Sequence, residues 1–309
     1  MKKNKPASKT LVSFLIYLLL VATAQSQSVR DFQLIPKNIN SFRAYYIYGT
    51  SNTFIDLGIP FVQDPSLDVN VDINIGALTY NRSFNVGGQL AFLQLIYPYG
   101  FVNATVQSAN RTFEQKSDGT ADPMLGIGTS ITGAPALTVK EFLKYKPETY
   151  LRWAFYTTFP IGKYDENMYV NLGANRWVFR PMMIFGQPFG KSWIEAYTWA
   201  RFFTENDKYN KGKSTLEQNP QFGIDLHYSY TVNKMLWFAI DGLYNTGGQT
   251  KVDGVKQSDY KNNYTLGATV NLTVSKSLSF NAAYFRTIEE AKNTATKNIA
   301  TFFVNYFFK

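Results

Sequence analysis

Apolar and polar residues alternate one for one over long segments of this chain, a pattern that folds as strands with one apolar and one wet face. From Asp68 to Ala77, Val69, Val71, Ile73, Ile75 and Ala77 alternate with Asp68, Asn70, Asp72 and Asn74. The period returns at Phe222, Ile224, Leu226, Tyr228 and Tyr230, opposite Asp225, His227 and Ser229, and again at Tyr264, Leu266, Ala268, Val270 and Leu272. Such runs exceed the roughly five or six residues of an ordinary globular strand and approach the roughly nine to eleven that a tilted membrane strand needs. Past the N-terminus no apolar run approaches the length of a spanning helix, so a membrane passage must be made by a closed barrel, where every backbone group is still satisfied. The apolar faces are then expected to meet lipid, with Ile73 near mid-bilayer, and the wet faces to line a lumen.

The pattern predicts an all-β fold, a transmembrane antiparallel β-barrel of about twelve strands. The expected strands are Asp68 to Tyr80, Val86 to Tyr97, Gly100 to Ala109, Asp122 to Thr132, Glu148 to Pro160 and Asn175 to Gly186, followed by Lys191 to Thr204, Asn219 to Val232, Met235 to Gly247, Tyr260 to Val274, Ser277 to Glu289 and Asn298 to Phe308. Barrels of this class have short periplasmic turns and longer outer loops. Pro98-Tyr99, Gln187 to Gly190, Asn233-Lys234 and Ser275-Lys276 read as tight turns, while Asn110 to Ala121, Ile161 to Ala174, Glu205 to Gln218, Gly248 to Asp259 and Glu290 to Lys297 read as long outer loops. With both ends in the periplasm the two kinds alternate, apart from a short outer loop at Asn81 to Asn85 and a long periplasmic one at Gly133 to Pro147. In the latter, Val139, Phe142 and Leu143 against Lys140, Glu141 and Lys144 predict a short amphipathic helix.

Lys2, Lys3, Lys5 and Lys9 precede an apolar run from Leu11 to Val21 and then Ala22-Thr23-Ala24, which reads as an export signal peptide over residues 1 to 24. Export and a barrel together predict the outer membrane of a Gram-negative bacterium. The formal net charge of +9 includes those four lysines, and the modest balance left is no nucleic-acid footprint. The absence of cysteine excludes disulfides, thiol chemistry and an acylated cysteine anchor. Aromatics make up 17% of residues, with 25 Phe and 21 Tyr, a load suited to the interfacial girdles of a barrel. Residues 25 to 67 give no clean membrane strand, although Arg43 to Tyr48 could pair somewhere, and are expected to form a periplasmic or lumen-packed segment ahead of a barrel over 68 to 309. Phe302, Val304, Tyr306 and Phe308 share one face of the last strand, an ending resembling the signal read by the barrel-assembly machinery, here with Lys309 after the final aromatic.

Chemistry is thin. His227 is the only histidine, so a histidine-ligated metal cluster is ruled out, and neither a G-x-S-x-G nor a P-loop word occurs. A lipid hydrolase would need His227 beside Ser229 with Asp225 or Asp241, but parity turns His227 toward the lumen and away from lipid. No cofactor, metal or catalytic residue is expected. Asp68, Asp72, Arg152, Glu195, Arg201, Asp225, His227, Asp241 and Asn281 all fall on wet parity and carry both signs. Of these, Asp225, His227, Asp241, Glu195, Arg201 and Arg152 are the candidates for a constriction that selects solutes. A structural network filling a narrow barrel is the competing role. Arg286, on the lipid face near an outer strand end, is placed to meet lipopolysaccharide phosphates.

Three stretches carry a family likeness: ADPMLG from Ala121 with TGAPALTVKEFLKY and FPIGKYDENMYVNLGANRWVFRP behind it, then WIEAYTWARFFTENDKY, then FAIDGLYNTGGQTKVDGV. In order and spacing they resemble the transporter family named after the meta-cleavage pathway of phenol degradation, over roughly residues 68 to 285. The resemblance implies an outer-membrane barrel passing small, often aromatic, compounds, with no catalytic residues to carry over. Its recurring Gly133, Pro135, Gly162, Asn171, Gly173 and Gly247 are explained at least as well by turn geometry as by ligand binding. The expected function is a passive channel for small solutes, with a plugged structural barrel as the alternative.

Overall fold

The computed structural model describes residues 28–51, 68–108, 111–168, 171–288 and 297–309; the expected signal peptide lies outside the described residues. Among the described residues seventeen strands form: β1 (Asn40–Ser51), β2 (Asp68–Val86), β3 (Gln89–Ser108), β4 (Arg111–Thr120), β5 (Met124–Thr132), β6 (Tyr150–Thr158), β7 (Val178–Phe189), β8 (Ser192–Phe203), β9 (Asn206–Lys208), β10 (Ser214–Gln218), β11 (Gln221–Thr231), β12 (Leu236–Gly247), β13 (Thr250–Val252), β14 (Val255–Lys256), β15 (Lys261–Thr273), β16 (Leu278–Ile288) and β17 (Lys297–Phe308). Twelve of them close an antiparallel barrel in which β1 pairs with both β2 and β17.

The expected number is met with different members. The first barrel strand, β1, lies inside the segment set apart as 25 to 67; its aromatics on both faces, Tyr46 and Tyr48 outward and Tyr45 inward, hide the alternation. The strands expected at Val86 to Tyr97 and Gly100 to Ala109 are one strand, β3, and Pro98 lies within it opposite Ala77. Proline is tolerated there because the neighbour on its other side is interrupted: β5 reaches only to Ile96 and β4 begins at Tyr99. The turn is instead at Gly87-Gly88, where φ values of 58° and 85° fit the left-handed conformation of a two-residue hairpin. Adding β1 makes that turn periplasmic and removes the anomalous short outer loop at Asn81 to Asn85. Of the outer loop expected at Asn110 to Ala121, Arg111–Thr120 is strand instead, since β4 folds back along the outer half of β3.

Parity holds on β11, β15 and β17, where Phe222, Leu226, Leu266, Val270, Phe302 and Tyr306 are exposed and Asp225, His227, Thr269, Asn271, Phe303 and Asn305 are buried. On β2 it is reversed. Val71, Ile73 and Ile75 are at most 5% exposed and point inward, while Asp72 and Asn74 face out. Here β2 has reached the outer end of the barrel: Tyr46 on the outside donates to Asn74 Oδ1 at 2.7 Å, and the inner face packs on Val102, Ala104 and Leu172. The expected lipid contact of Ile73 and lumen position of Asp72 are therefore both corrected, and the side chain of Asp68 lies outside what is described.

Girdles of aromatics mark the two interfaces. At the periplasmic end Phe42 stacks on Phe308 and meets Tyr80 at a tilt, and at the outer end Tyr244 meets Tyr264 and Trp177 meets Phe159. The periplasmic helix α1 (Val139–Phe142) forms where expected, closed by a capping box in which Thr138 and Glu141 bond each other's backbone N–H. Those bonds hold the exposed Glu141 carboxyl below its ordinary range. The outer segments Glu205 to Gln218 and Gly248 to Asp259 fold together as a small sheet, β14-β13-β10-β9, around buried Leu216 and Tyr209.

Candidate functional site

The lumen is occupied by the stretch that precedes β1. Residues 36–39 are stitched to the periplasmic rim: Lys37 N–H donates to Leu137 O at 2.8 Å, Asn38 N–H to Ser83 O at 2.8 Å and Ser83 Oγ to Pro36 O at 2.7 Å. From there the chain turns inward. Phe32, 3% exposed, joins Tyr150, Tyr156, Tyr197 and Trp199 in one buried cluster and meets the Tyr197 ring edge-on at 5.1 Å between centroids.

Polar latches from four wall strands hold this plug. On β8, Glu195 is fully buried and accepts from Tyr150 Oη at 2.6 Å, Tyr197 Oη at 2.9 Å, Arg30 N at 3.2 Å and Gln33 Nε2 at 3.3 Å. On β6, Arg152 donates to Phe32 O and to Leu90 O. On β11, Ser229 Oγ receives Arg30 Nε at 2.8 Å, and the Arg30 guanidinium lies 4.7 Å from the Trp237 ring centre. On β1, Arg43 forms an ion pair with Asp31 at 2.7 Å and lies over Phe303. A buried carboxylate is costly unless fully hydrogen-bonded, so Glu195 both needs its donors and fixes the plug that brings two of them.

All six candidates from the sequence face the lumen and are buried. The structure divides them into groups. Glu195 and Arg152 belong to the latch. His227, Asp241 and Thr269 form a chain: His227 Nδ1 lies 2.6 Å from Asp241 Oδ1, and Thr269 Oγ1 donates to Asp241 Oδ2 at 2.7 Å. His227 Nε2 has no hydrogen-bond partner among the described residues, and Ser229 is occupied by Arg30, so this arrangement orients an imidazole without offering it a nucleophile. Nearer the outer mouth, Asp225 accepts from Trp199 Nε1 at 3.2 Å and Arg201 lies over the Trp199 ring at 4.6 Å. Gly223 permits this, since a Cβ there would come within 2.2 Å of the Trp199 ring.

Several participants escaped the sequence reading. The plug residues Arg30, Asp31 and Gln33 sit in a segment without period. Arg180 is buried on β7, where Phe179, Met183 and Phe185 face out and Met182 and Ile184 face in, leaving no alternation to read. Arg176, 2% exposed, lies in the outer loop 159–177 over the Phe203 ring.

That loop packs against the inner face of β2 and β3 at the outer end of the barrel. Leu172 lies beside Gly100 and Ile75, and the neck of the loop is clamped by Asp122, which accepts from Gly162 N at 2.8 Å and Ala174 N at 2.7 Å. Gly162 and Gly173 fit around this carboxylate with no room for a Cβ. Burial pushes the Asp122 carboxyl up to about 6, against the pull of the two backbone donors and of Arg176. Asn171 bonds Asp165 O and Met168 O and accepts from Asp165 N within the same loop. At Gly162, Asn171 and Gly173 the recurring family positions thus serve loop geometry. At the outer end the inner face thus carries a buried apolar layer of Val71, Ile73, Ile75, Val102, Ala104 and Leu172, above a charged, hydrogen-bonded plug.

Comparison places this architecture among known barrels. The family model described as "Putative MetA-pathway of phenol degradation" matches residues 51–303. The crystal structure of an outer membrane channel from Pseudomonas putida F1 is similar at a TM-score of 0.76 and 19% identity, covering 92% of this chain and 100% of that one. The transport unit of the autotransporter AIDA-I from Escherichia coli is similar at a TM-score of 0.53 and 9% identity, over 91% of this chain and 93% of that one. No curated protein sequence matches.

Proposed function

Because the chain belongs to the outer-membrane barrel family described as "Putative MetA-pathway of phenol degradation", we propose that it is a passive channel admitting small apolar or aromatic solutes at the cell surface. The observation that carries this reading is the inward apolar layer at the outer mouth, from Val71 to Leu172, set above the plug. A hydrated ion or sugar gains nothing from that layer, whereas an apolar solute gains about 25 cal/mol per Å² of surface withdrawn from water. Below it, Glu195 and Arg152 keep the plug in place, while Asp225, His227, Asp241 and Arg201 set the charge that a hydrophilic solute would meet. Lipid and lipopolysaccharide surround the barrel, with the exposed Arg286 facing the phosphates, and the aromatic face ending in Phe308 serves the assembly machinery.

The test uses intact Gram-negative cells, whose lipopolysaccharide excludes the fluorescent apolar probe N-phenyl-1-naphthylamine. Cells producing the barrel should take up the probe faster than cells without it, and Ile73→Asp with Val102→Asp should remove the gain while the barrel still shows heat-modifiable migration. Uptake unchanged by the acidic pair would sink the apolar route. A second reading, a barrel permanently closed for a structural role, is favoured by the four-stranded latch on the plug; it predicts no gain in probe uptake at all.

A further inference from the structure

Lysine recurs at the periplasmic turns of the barrel, each time just after an exposed apolar residue. Gly190-Lys191, with Phe189 before them, join β7 to β8; Val232-Asn233-Lys234 lead from β11 toward β12, and Val274-Ser275-Lys276 from β15 toward β16. None of these three turns contains an acid. In the longer connection between β5 and β6, Leu143 is 78% exposed and is followed by the exposed Lys144 and Lys146. Among the described turns at this end, Gly87-Gly88 between β2 and β3 is the exception.

The lysines are not needed to build the turns. Val232 and Asn233 N–H donate to Leu236 O, and Val274 and Ser275 N–H donate in the same way to Leu278 O, at 3.0 to 3.3 Å. Asn233 Oδ1 accepts from Met235 N at 2.8 Å and from Leu236 N at 3.0 Å, and Ser275 Oγ accepts from Ser277 N at 3.2 Å. Gly190 supplies the left-handed φ of 59° at the remaining turn. At the outer end lysines meet acids, Lys163 with Asp118 at 3.8 Å and Lys251 with Glu217 at 3.4 Å. Lys191, Lys234 and Lys276 are exposed and have no ion pair among the described residues.

Phe189, Val232 and Val274 lie on the outward parity of their strands and carry the lipid-facing band down to the turns. A lysine two positions later can lay its methylene stem along that band and lift its ammonium to the headgroup phosphates. We propose that this rim is a docking collar for acidic phospholipid headgroups of the periplasmic leaflet. A folded acidic protein matches the charge but not the shape, because the four connections serve eight consecutive wall strands, from β5 round to β16. A leaflet meets such an arc on every bearing, and its acyl chains cover the exposed apolar residues. Unpaired lysines favour an anionic headgroup over a zwitterionic one, whose phosphate already has an ammonium beside it. The collar is independent of what the lumen carries.

The test reconstitutes the full barrel in vesicles of equal phosphatidylglycerol and phosphatidylcholine. Electron paramagnetic resonance of spin-labelled forms of each then reads how much of either lipid is held at the protein surface. The wild-type barrel should prefer phosphatidylglycerol several-fold, and the preference should shrink as salt is raised. Lys191→Gln with Lys234→Gln and Lys276→Gln should bring the ratio close to one. Lys116→Gln with Lys208→Gln and Lys256→Gln, exposed at the outer end, should leave it unchanged. Should the triple turn variant fail to fold, each single turn variant should still remove part of the preference. A wild-type ratio of one, a preference that survives loss of the turn lysines, or an equal fall in the outer variant would overturn the collar.

Discussion

Glu195 shows how one side chain can set the state of the whole lumen. Replacing it by alanine leaves Tyr150 Oη, Tyr197 Oη and Arg30 N without their acceptor. Each buried donor so orphaned costs about 1 to 3 kcal/mol unless water reaches it, and release of the plug is the way to admit water. Glu195→Ala should therefore raise single-channel conductance and lower the temperature of heat-modified migration; conductance at the wild-type level in a folded variant would show that the plug is held elsewhere. Ile73 gives a second residue-scale outcome. Because it points into the mouth and Asn74 points out, Ile73→Arg should disturb the barrel through a buried charge, by about 2 to 4 kcal/mol, whereas Asn74→Arg should be nearly silent in the same assay. Equal effects would contradict the inward placement. The six lumen candidates were legible from parity alone, because an acid or cation on a wet face has one direction to go. Their partners were not, since Arg30, Asp31 and Gln33 lie in irregular chain, where no period says what faces what.

Among the elements, the outer loop 159–177 carries the pH dependence. Asp122 has its folded pKa raised from 3.8 to about 6, so folding binds its proton more tightly than the unfolded chain does. The resulting stability is fully present below about pH 4 and is lost as pH rises through about 6, a swing of no more than about 3 kcal/mol. Acidification from about pH 7 to about pH 5 should thus slow proteolysis of the loop at the exposed Lys163, and Asp122→Asn, a neutral mimic of the protonated form, should abolish that dependence. A wild-type loop cleaved at the same rate at both pH values, or an Asn variant that still responds, would contradict this. Strands were legible in proportion to how unlike their two faces are. β11 and β15 alternate apolar with polar and were read correctly. β7 is apolar on both faces and β1 aromatic on both, so the first gave no direction and the second was missed. On β2 the alternation was plain yet its sense reversed, because alternation says that two faces differ and is silent about which one meets lipid once the strand has left the membrane.

For the whole molecule, closure by β1 against β17 places every tight turn between consecutive strands of the barrel wall on one side. Epitope tags at Asp253-Gly254 should be reached by antibody on intact cells, and tags at Gly87-Gly88 or Ser275-Lys276 only after permeabilisation; surface labelling at Gly87-Gly88 would invert the barrel or break its strand order. The rim itself is uneven. β4 carries β3 onward for 10 residues beyond the level at which β5 begins, about 33 Å along the strand at about 3.3 Å per residue, while β6 stops level with β5. The molecule therefore wears its height unevenly: the β3–β4 wall is a breakwater standing among the sugar chains of the outer leaflet, holding that forest back from its own flank of the mouth.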